Sequence, residues 1–346
     1  MKQIYIVAEI GCNHNGSFDI AKKMVEEAKN AGVNAVKFQT FKAELLISKF
    51  APKAEYQIQT TGNNDSQLEM TKKLELPYDD YINLEKYARD LGLDVFSTPF
   101  DLDSVDFLAS RGQTMWKIPS GEILNLPYIE KIACLPIKNK KIVLSTGMST
   151  IDEILISLSV LEKNGIKKND ITILHCNTEY PTPYEDVNLN VINSFKNIFE
   201  GYNIGFSDHS VGYFAGIASV PYGISFIEKH FTLDKSLPGP DHKASVTPDE
   251  LRLLCQGIRA VEKSLGDSCK KVTMSERKNK IVARKSIVAK REIKKGDILS
   301  AENLAVKRPG NGISPMHWYE LIGQRASQNF AVDELILHKD FPPQEV

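Results

Sequence analysis

Eight short runs rich in β-branched residues, each followed by a stretch of helical periodicity, fill about the first 270 residues and leave few folds open. The runs are IYIVAEIG, AVKFQT, DVFSTPF, MWKIPS, KIVLSTG, ITILHCNT, NIGFSDHS and FIEKHFT. The intervening helices carry physical start and stop signals. Thr150 and Glu153 form a T-x-x-E capping box with Gly165 beyond the end, and Thr247, Pro248 and Glu250 open a helix whose Leu251, Leu254, Cys255, Ile258, Val261 and Leu265 trace one face. Such an alternation has the size and rhythm of an α/β (β/α)8 (TIM) barrel, with a doubly wound open sheet as the rival. Polar placement favours the barrel. Glu9, Gln39, Thr98 and Ser120 sit at the C-terminal ends of the first four runs, and Ser145, Asn177, His209 and His230 at the ends of the last four, the face on which barrel enzymes build their sites.

The barrel is expected over residues 1–268. The long gap between Thr40 and Tyr78, which holds TTGNNDSQ, reads as a loop over the catalytic face. The basic, poorly periodic stretch 269–283 reads as a linker, and residues 284–346, with short strands, turns and a helix near MHWYELIG, as a second small domain. A charged content of 25% with a net charge of −1 gives no field to draw nucleic acid or a membrane surface. The five cysteines are odd in number and never in a CxxC pair, so neither a disulfide framework nor a zinc–thiolate site is expected. Without a signal-peptide pattern or a membrane-length apolar run, the expectation is a cytoplasmic protein with reduced thiols.

Strand residues two apart share a face, so Lys37 with Gln39, Ser207 with His209, and Glu228 with His230 are expected to point into the lumen, while Val36, Phe38, Phe206 and Ile227 meet the helices. Lys229 breaks that pattern. His209 and His230, ending adjacent strands, are placed to share a divalent Lewis acid such as Mn²⁺, with coordination positions left for water and substrate oxygen; the alternative is a pair of hydrogen-bonded core histidines. Lys37 and Lys117, with Ser120 and Ser145, could clamp a phosphate and a carboxylate. Equally, these lysines could pair with Glu9 or Glu122, or one could be a Schiff-base nucleophile. Glu9 suits general acid–base work, Asn13, His14 and Asn15 suit loop backbone, and the rigid LPGPDHKAS loop would hold Asp241 over the same face to bind sugar hydroxyls.

The motifs VAEIGCNHNGS, AVKFQTFKA, FSTPFD, KIPSGE, LSTGM, HCNTEYPTPYEDV, GFSDHS, IEKHFTLDKSLPGPDH and KRPGNGISP, in this order, resemble those of the bacterial sialic acid synthases, N-acetylneuraminate synthase in particular. The resemblance spans essentially the whole chain. It implies a (β/α)8 barrel followed by an antifreeze-like (SAF) domain, in a domain-swapped homodimer where each small domain caps the partner's barrel. It also implies condensation of phosphoenolpyruvate, N-acetylmannosamine and water to N-acetylneuraminate and phosphate. Carried over by position, His209 and His230 become metal ligands, usually for Mn²⁺. Lys37, Thr98, Lys117, Ser120, Ser145 and Ser207 become phosphoenolpyruvate contacts, with Glu122 counted among the substrate-binding residues. Glu9, Gln39, Tyr180 and Asp241 line the acceptor site, and Arg308 comes from the partner's cap. The chemistry of that reaction needs a carboxylate for the protons of the added water, for which Glu9 or Glu228 is expected, with Asp241 counted beside them as catalytic. Thr178 departs from the asparagine some members have before YPTP. The nearest rival is a legionaminic acid synthase acting on 2,4-diacetamido-2,4,6-trideoxymannose; a Schiff-base pyruvate aldolase and a non-catalytic sugar-phosphate binder stand further off.

Overall fold

A computed structural model describes residues 3–62 and 65–340, and the chain divides into two compact units, Met1–Gly266 and Asp267–Val346. In the first, eight strands alternate with helices: β1 (Tyr5–Gly11), β2 (Ala35–Thr40), β3 (Asp94–Pro99), β4 (Met115–Ile118), β5 (Lys141–Ser145), β6 (Ile171–His175), β7 (Asn203–Asp208) and β8 (Phe226–His230). All pair in parallel in the order β3-β2-β1-β8-β7-β6-β5-β4. Because β1 ladders with both β2 and β8, the sheet curls into a barrel rather than an open doubly wound sheet.

The seam between β3 and β4 is closed by side chains. Gln113 presents its amide to β3 as a substitute strand, accepting from Ser97 N at 2.8 Å and donating to Ser97 O at 2.9 Å. Tyr128 then donates its hydroxyl to the carbonyl of Pro99 at 2.6 Å, with the Lys117 carbonyl at 3.4 Å. Backbone groups that would otherwise be orphaned at two strand edges are thereby paired.

Strand alternation sorts the chemistry. Val7, Ala35, Phe96, Val143, Leu174 and Phe226 form an apolar layer inside the barrel. Gly205 belongs to the same level because a Cβ there would lie 2.5 Å from Leu174 and 2.7 Å from the Phe226 carbonyl oxygen. One step further along each strand the lumen turns polar. Val36, Phe38, Phe206 and Ile227 face outward into the helix-covered core. Lys229 also faces outward, and the structure explains it: its Nζ lies 3.1 Å from Asp208 Oδ2 and donates to the Ser210 carbonyl, both side chains being fully buried. At the end of β1 the register slips between Glu9 and Gly11, and Gly11 adopts φ 54°.

The segment after β2 is not the loop expected. It forms helices Ala43–Leu46, Glu55–Thr61 and Gln67–Lys72 before Tyr78–Asp90 begins. Ser66 and Glu69 form a capping box, with Ser66 N donating to Glu69 at 2.8 Å. Asn63 and Asn64 lie outside the described residues. The insertion rests on the first barrel loop, where a Cβ at Gly16 would come within 2.9 Å of the Lys73 carbonyl oxygen. Likewise, residues 269–283 contain a helix, Glu276–Ala283, entered through Thr273 N donating to Glu276 at 2.9 Å.

In the second unit β9 (Ser286–Ala289) pairs antiparallel with β10 (Leu304–Lys307), over a core of Ile287, Ile293, Leu299, Leu304, Phe330 and Ile336. Among the described residues no helix is long and apolar enough to cross a membrane, and all five cysteines are unpaired.

Candidate active site

The C-terminal ends of the strands surround a cavity of about 590 Å³. Its floor is a ring of buried ion pairs on the level above the apolar layer. Lys37 Nζ sits 2.6 Å from Glu9 Oε2 and donates to Thr98 Oγ1 at 2.9 Å. Lys117 Nζ donates to both oxygens of Glu228, at 2.8 and 3.1 Å. The pairs are linked, since Lys37 Nζ is also 3.8 Å from Glu228 Oε1 and Ser207 Oγ donates to that oxygen at 3.3 Å. Gln39 donates to Glu9 Oε1 at 3.0 Å. Burial pushes the Glu9 carboxyl above the ordinary range. Burial pushes Glu228 the same way, but Lys117 and Lys37 together outweigh it and hold Glu228 low. Two neighbouring carboxyls with opposed proton affinities are a usual arrangement for acid–base work.

The pairing of Lys117 corrects one alternative from the sequence. Its carboxylate is Glu228, from across the lumen, whereas Glu122 is half-buried and accepts from Asn125 at 2.6 Å. Glu122 still lines the cavity, as do Ser120 and Ser145. Ser120 Oγ accepts from Gly147 N at 3.0 Å. Thr178 also lines the cavity, and a Cβ at Gly147 would meet its Cγ2 at 2.6 Å.

Above the floor stand the two histidines, with ring centroids 5.3 Å apart. His209 Nδ1 bonds the Asn177 carbonyl, an acceptor only, so that nitrogen carries the proton and Nε2 is left with a lone pair toward the cavity. Tyr180 OH reaches that lone pair at 3.3 Å, and Ser207 Oγ lies 3.1 Å from it with a single proton to share between this nitrogen and Glu228. Burial lowers His209 to about 4 and His230 well below its ordinary value, so both rings are neutral at neutral pH. His230 Nδ1 is buried without a hydrogen-bond partner, 3.7 Å from Asp241 Oδ2. Burial raises Asp241 to about 6. Tyr180 stacks on His209 with centroids 4.2 Å apart.

Every barrel residue that the sequence assigns to the site thus lines this one cavity. Arg308 belongs to the second unit, where its Nε donates to the Ala283 carbonyl at 3.1 Å. Asn13 serves the backbone as expected, donating to the Phe231 carbonyl at 2.8 Å. Sequence reasoning missed Cys12, Phe41, Leu46, Tyr56, Leu74 and Phe100, which also line the cavity. The only signal for those in the insertion was its own capping box, which marks Ser66 to Glu69 as ordered structure.

A (β/α)8 barrel with buried lysine–carboxylate pairs beneath two neutral imidazoles, all on its C-terminal face, defines a barrel enzyme for a polar, anionic substrate. Residues 24–270 match the model of the NeuB family and residues 284–342 that of the SAF domain. The chain belongs to the NeuB family, the sialic acid synthases. It is 52% identical to N,N'-diacetyllegionaminic acid synthase of Campylobacter jejuni subsp. jejuni serotype O:2, over 97% of this chain and 99% of that one. It is 41% identical to the protein of the same name from Legionella pneumophila, over 96% and 93% of the two chains. Among solved structures, N-acetylneuraminic acid synthetase from Leptospira borgpetersenii matches with a TM-score of 0.68 at 29% identity, covering 80% of this chain and 90% of that one.

Proposed function

We propose that this protein condenses phosphoenolpyruvate with 2,4-diacetamido-2,4,6-trideoxymannose and water, releasing N,N'-diacetyllegionaminate and phosphate. The expected acceptor, N-acetylmannosamine, gives way to the diacetamido sugar because the relatives at 52% and 41% identity are both named for legionaminic acid. The observation that carries the reading is the stacking of two levels in one cavity, lysines and hydroxyls below and neutral imidazoles above.

The residues present fit a divalent cation. His230 Nδ1 is a buried ring nitrogen with no hydrogen-bond partner, and His209 Nε2 has its lone pair fixed by the bond its other nitrogen makes to Asn177. Among the described residues no cluster of three or more His, Cys, Asp or Glu forms, so the two imidazoles leave the rest of the shell to substrate oxygen and water. A cation such as Mn²⁺, when bound there, supplies Lewis-acid polarisation of the acceptor's carbonyl oxygen.

The chain's own groups do the rest. Lys37, Lys117, Thr98, Ser120, Ser145 and Ser207 hold the phosphate and carboxylate of phosphoenolpyruvate, the lysines turning part of their attraction from Glu9 and Glu228 to the anion. C3 attacks the acceptor carbonyl carbon, forming the new C–C bond as the C=O π pair moves onto oxygen, which takes up a proton, and leaving C2 oxocarbenium-like. Glu228, held ionised, faces that positive charge, while Glu9 exchanges the proton that the incoming water must shed. The hydroxyl that water leaves on C2 then gives up its remaining proton and becomes the product's carbonyl as the C2–O bond to phosphate breaks and phosphate departs. Gln39, Tyr180 and Asp241 face the sugar, and Arg308, offered by the cap of a second copy in a homodimer, completes the acceptor site. The test is phosphate release from metal-stripped protein with each acceptor, after separate re-addition of Mn²⁺, Mg²⁺ and Zn²⁺. Turnover should depend on added cation and be faster with the diacetamido sugar; equal turnover without cation, or trapping by borohydride with pyruvate, would sink the reading.

A further inference from the structure

The cavity has a wall that the condensation chemistry does not use. Apart from the main barrel core, Cys12, Phe41 and Leu74 form a small hydrophobic cluster of their own, with Leu46 and Phe100 packed against it. All five line the active-site cavity. Phe41 and Phe100 meet edge to face, with centroids 6.3 Å apart, which gives that wall a fixed shape. Three of its members follow the ends of β1, β2 and β3, and two come from the insertion between β2 and β3, so the wall joins barrel to insertion.

We propose that this cluster is the seat of the C6 methyl group of a 6-deoxy acceptor and sets the enzyme's preference at that carbon. The reach is right. Asp241 Oδ2 lies 3.7 Å from His230 Nδ1 and 3.5 Å from Cys12 Sγ, so one carboxylate oxygen connects the imidazoles to the edge of the cluster. An open-chain hexose built on carbon–carbon bonds of ~1.5 Å spans about 6 Å from C1 to C6. With its carbonyl at the imidazoles and its middle hydroxyls at Asp241, its far end meets Cys12, Phe41 and Leu46. A methyl there is removed from water against apolar atoms, whereas a 6-hydroxyl would find no hydrogen-bonding side chain among Phe41, Leu46, Leu74 and Phe100. An apolar pocket rejects an added hydroxyl by about 10- to 100-fold.

This inference rests on the 6-deoxy acceptor of the proposed function, and the substrate set separates the two. Phosphate release is measured with 2,4-diacetamido-2,4,6-trideoxymannose, its 6-hydroxy counterpart, N-acetylmannosamine and 6-deoxy-N-acetylmannosamine. Within each pair, wild-type kcat/KM should favour the 6-deoxy sugar by about 10- to 100-fold. Leu46→Asn and Leu74→Asn should each cut that ratio at least about fivefold without changing KM for phosphoenolpyruvate, while Leu46→Met keeps it. Folding of each variant is checked by thermal melting, and if neither asparagine variant folds, the wild-type ratios decide alone. Equal use of both members of a pair, or folded variants with an unchanged ratio, would overturn the C6 seat. Faster turnover of N-acetylmannosamine than of the diacetamido sugar, with the 6-deoxy preference intact in its own pair, would overturn the proposed acceptor and leave the seat standing.

Discussion

Strand β8 carries two buried residues that bond charged partners on opposite faces. Glu228 points into the lumen and pairs with Lys117, while its neighbour Lys229 points outward and pairs with Asp208. The two pairs use the same chemistry at the same height and differ in everything around them. The outer pair is enclosed: Asp208 Oδ1 accepts from Ser210 N at 2.9 Å and Ser210 Oγ at 2.6 Å, Asp208 Oδ2 faces only the Lys229 ammonium at 3.1 Å, Lys229 donates to the Ser210 carbonyl, and the pair spans register partners on adjacent strands. The lumen pair is shared, with Lys37 at 3.8 Å and Ser207 at 3.3 Å from the same Glu228 oxygen, and it opens on the cavity. A closed pair fixes backbone, here the turn that carries His209. An open, shared pair can release a lysine to an arriving anion.

Substitutions on the two faces should therefore fail in different ways. Lys117→Met should lower kcat/KM for phosphoenolpyruvate by about 10²- to 10³-fold, the scale of losing one preorganised donor, with a smaller loss of stability than the outer variant. Phosphate-release kinetics and denaturant titration check both halves. Lys229→Met should cost about 3–5 kcal/mol of stability by stranding Asp208, and Asp208→Asn with Lys229→Met should recover much of it. If the single and double variants unfold at the same denaturant concentration, the outer pair is not the lock described.

Proton behaviour sharpens the contrast. Because burial raises Glu9 in the folded state, the native protein holds a proton that the unfolded chain has lost. Stability from this group is present below its ordinary value of 4.5 and falls as pH rises from there toward neutrality. Glu9→Gln should flatten that slope in metal-free protein, as read from unfolding at several pH values. The smallest effect is expected from Thr98→Val, which removes the hydroxyl that Lys37 holds at 2.9 Å. It should raise KM for phosphoenolpyruvate about fivefold, the equivalent of ~1 kcal/mol.

The same two faces show what could be read from the sequence. Period-two alternation places Lys37, Glu228 and the histidines inward, because Val36, Phe38, Phe206 and Ile227 claim the opposite, helix-covered face. It cannot say which carboxylate a lysine chooses, since Lys117 and Glu228 are 111 residues apart and meet only when the barrel closes. Lys229 was opaque for the same reason: its partner follows Ser207 on another strand, and strand register does not exist before folding. The β3–β4 seam depends on Gln113, a residue with no periodic signature at all. In the insertion, polar composition concealed short helices announced only by local caps.

The apolar layer of Val7, Ala35, Phe96, Val143, Leu174 and Phe226 gives the barrel a blind end. Traffic to the lysines and away from them must then use the mouth, past the imidazoles. On the proposed reaction this imposes a queue: phosphoenolpyruvate goes in ahead of the sugar, and the sugar corks the way out. Phosphate set free at the bottom stays captive until the condensed acid departs, so product inhibition by phosphate should be felt by the empty enzyme rather than by the enzyme already holding sugar.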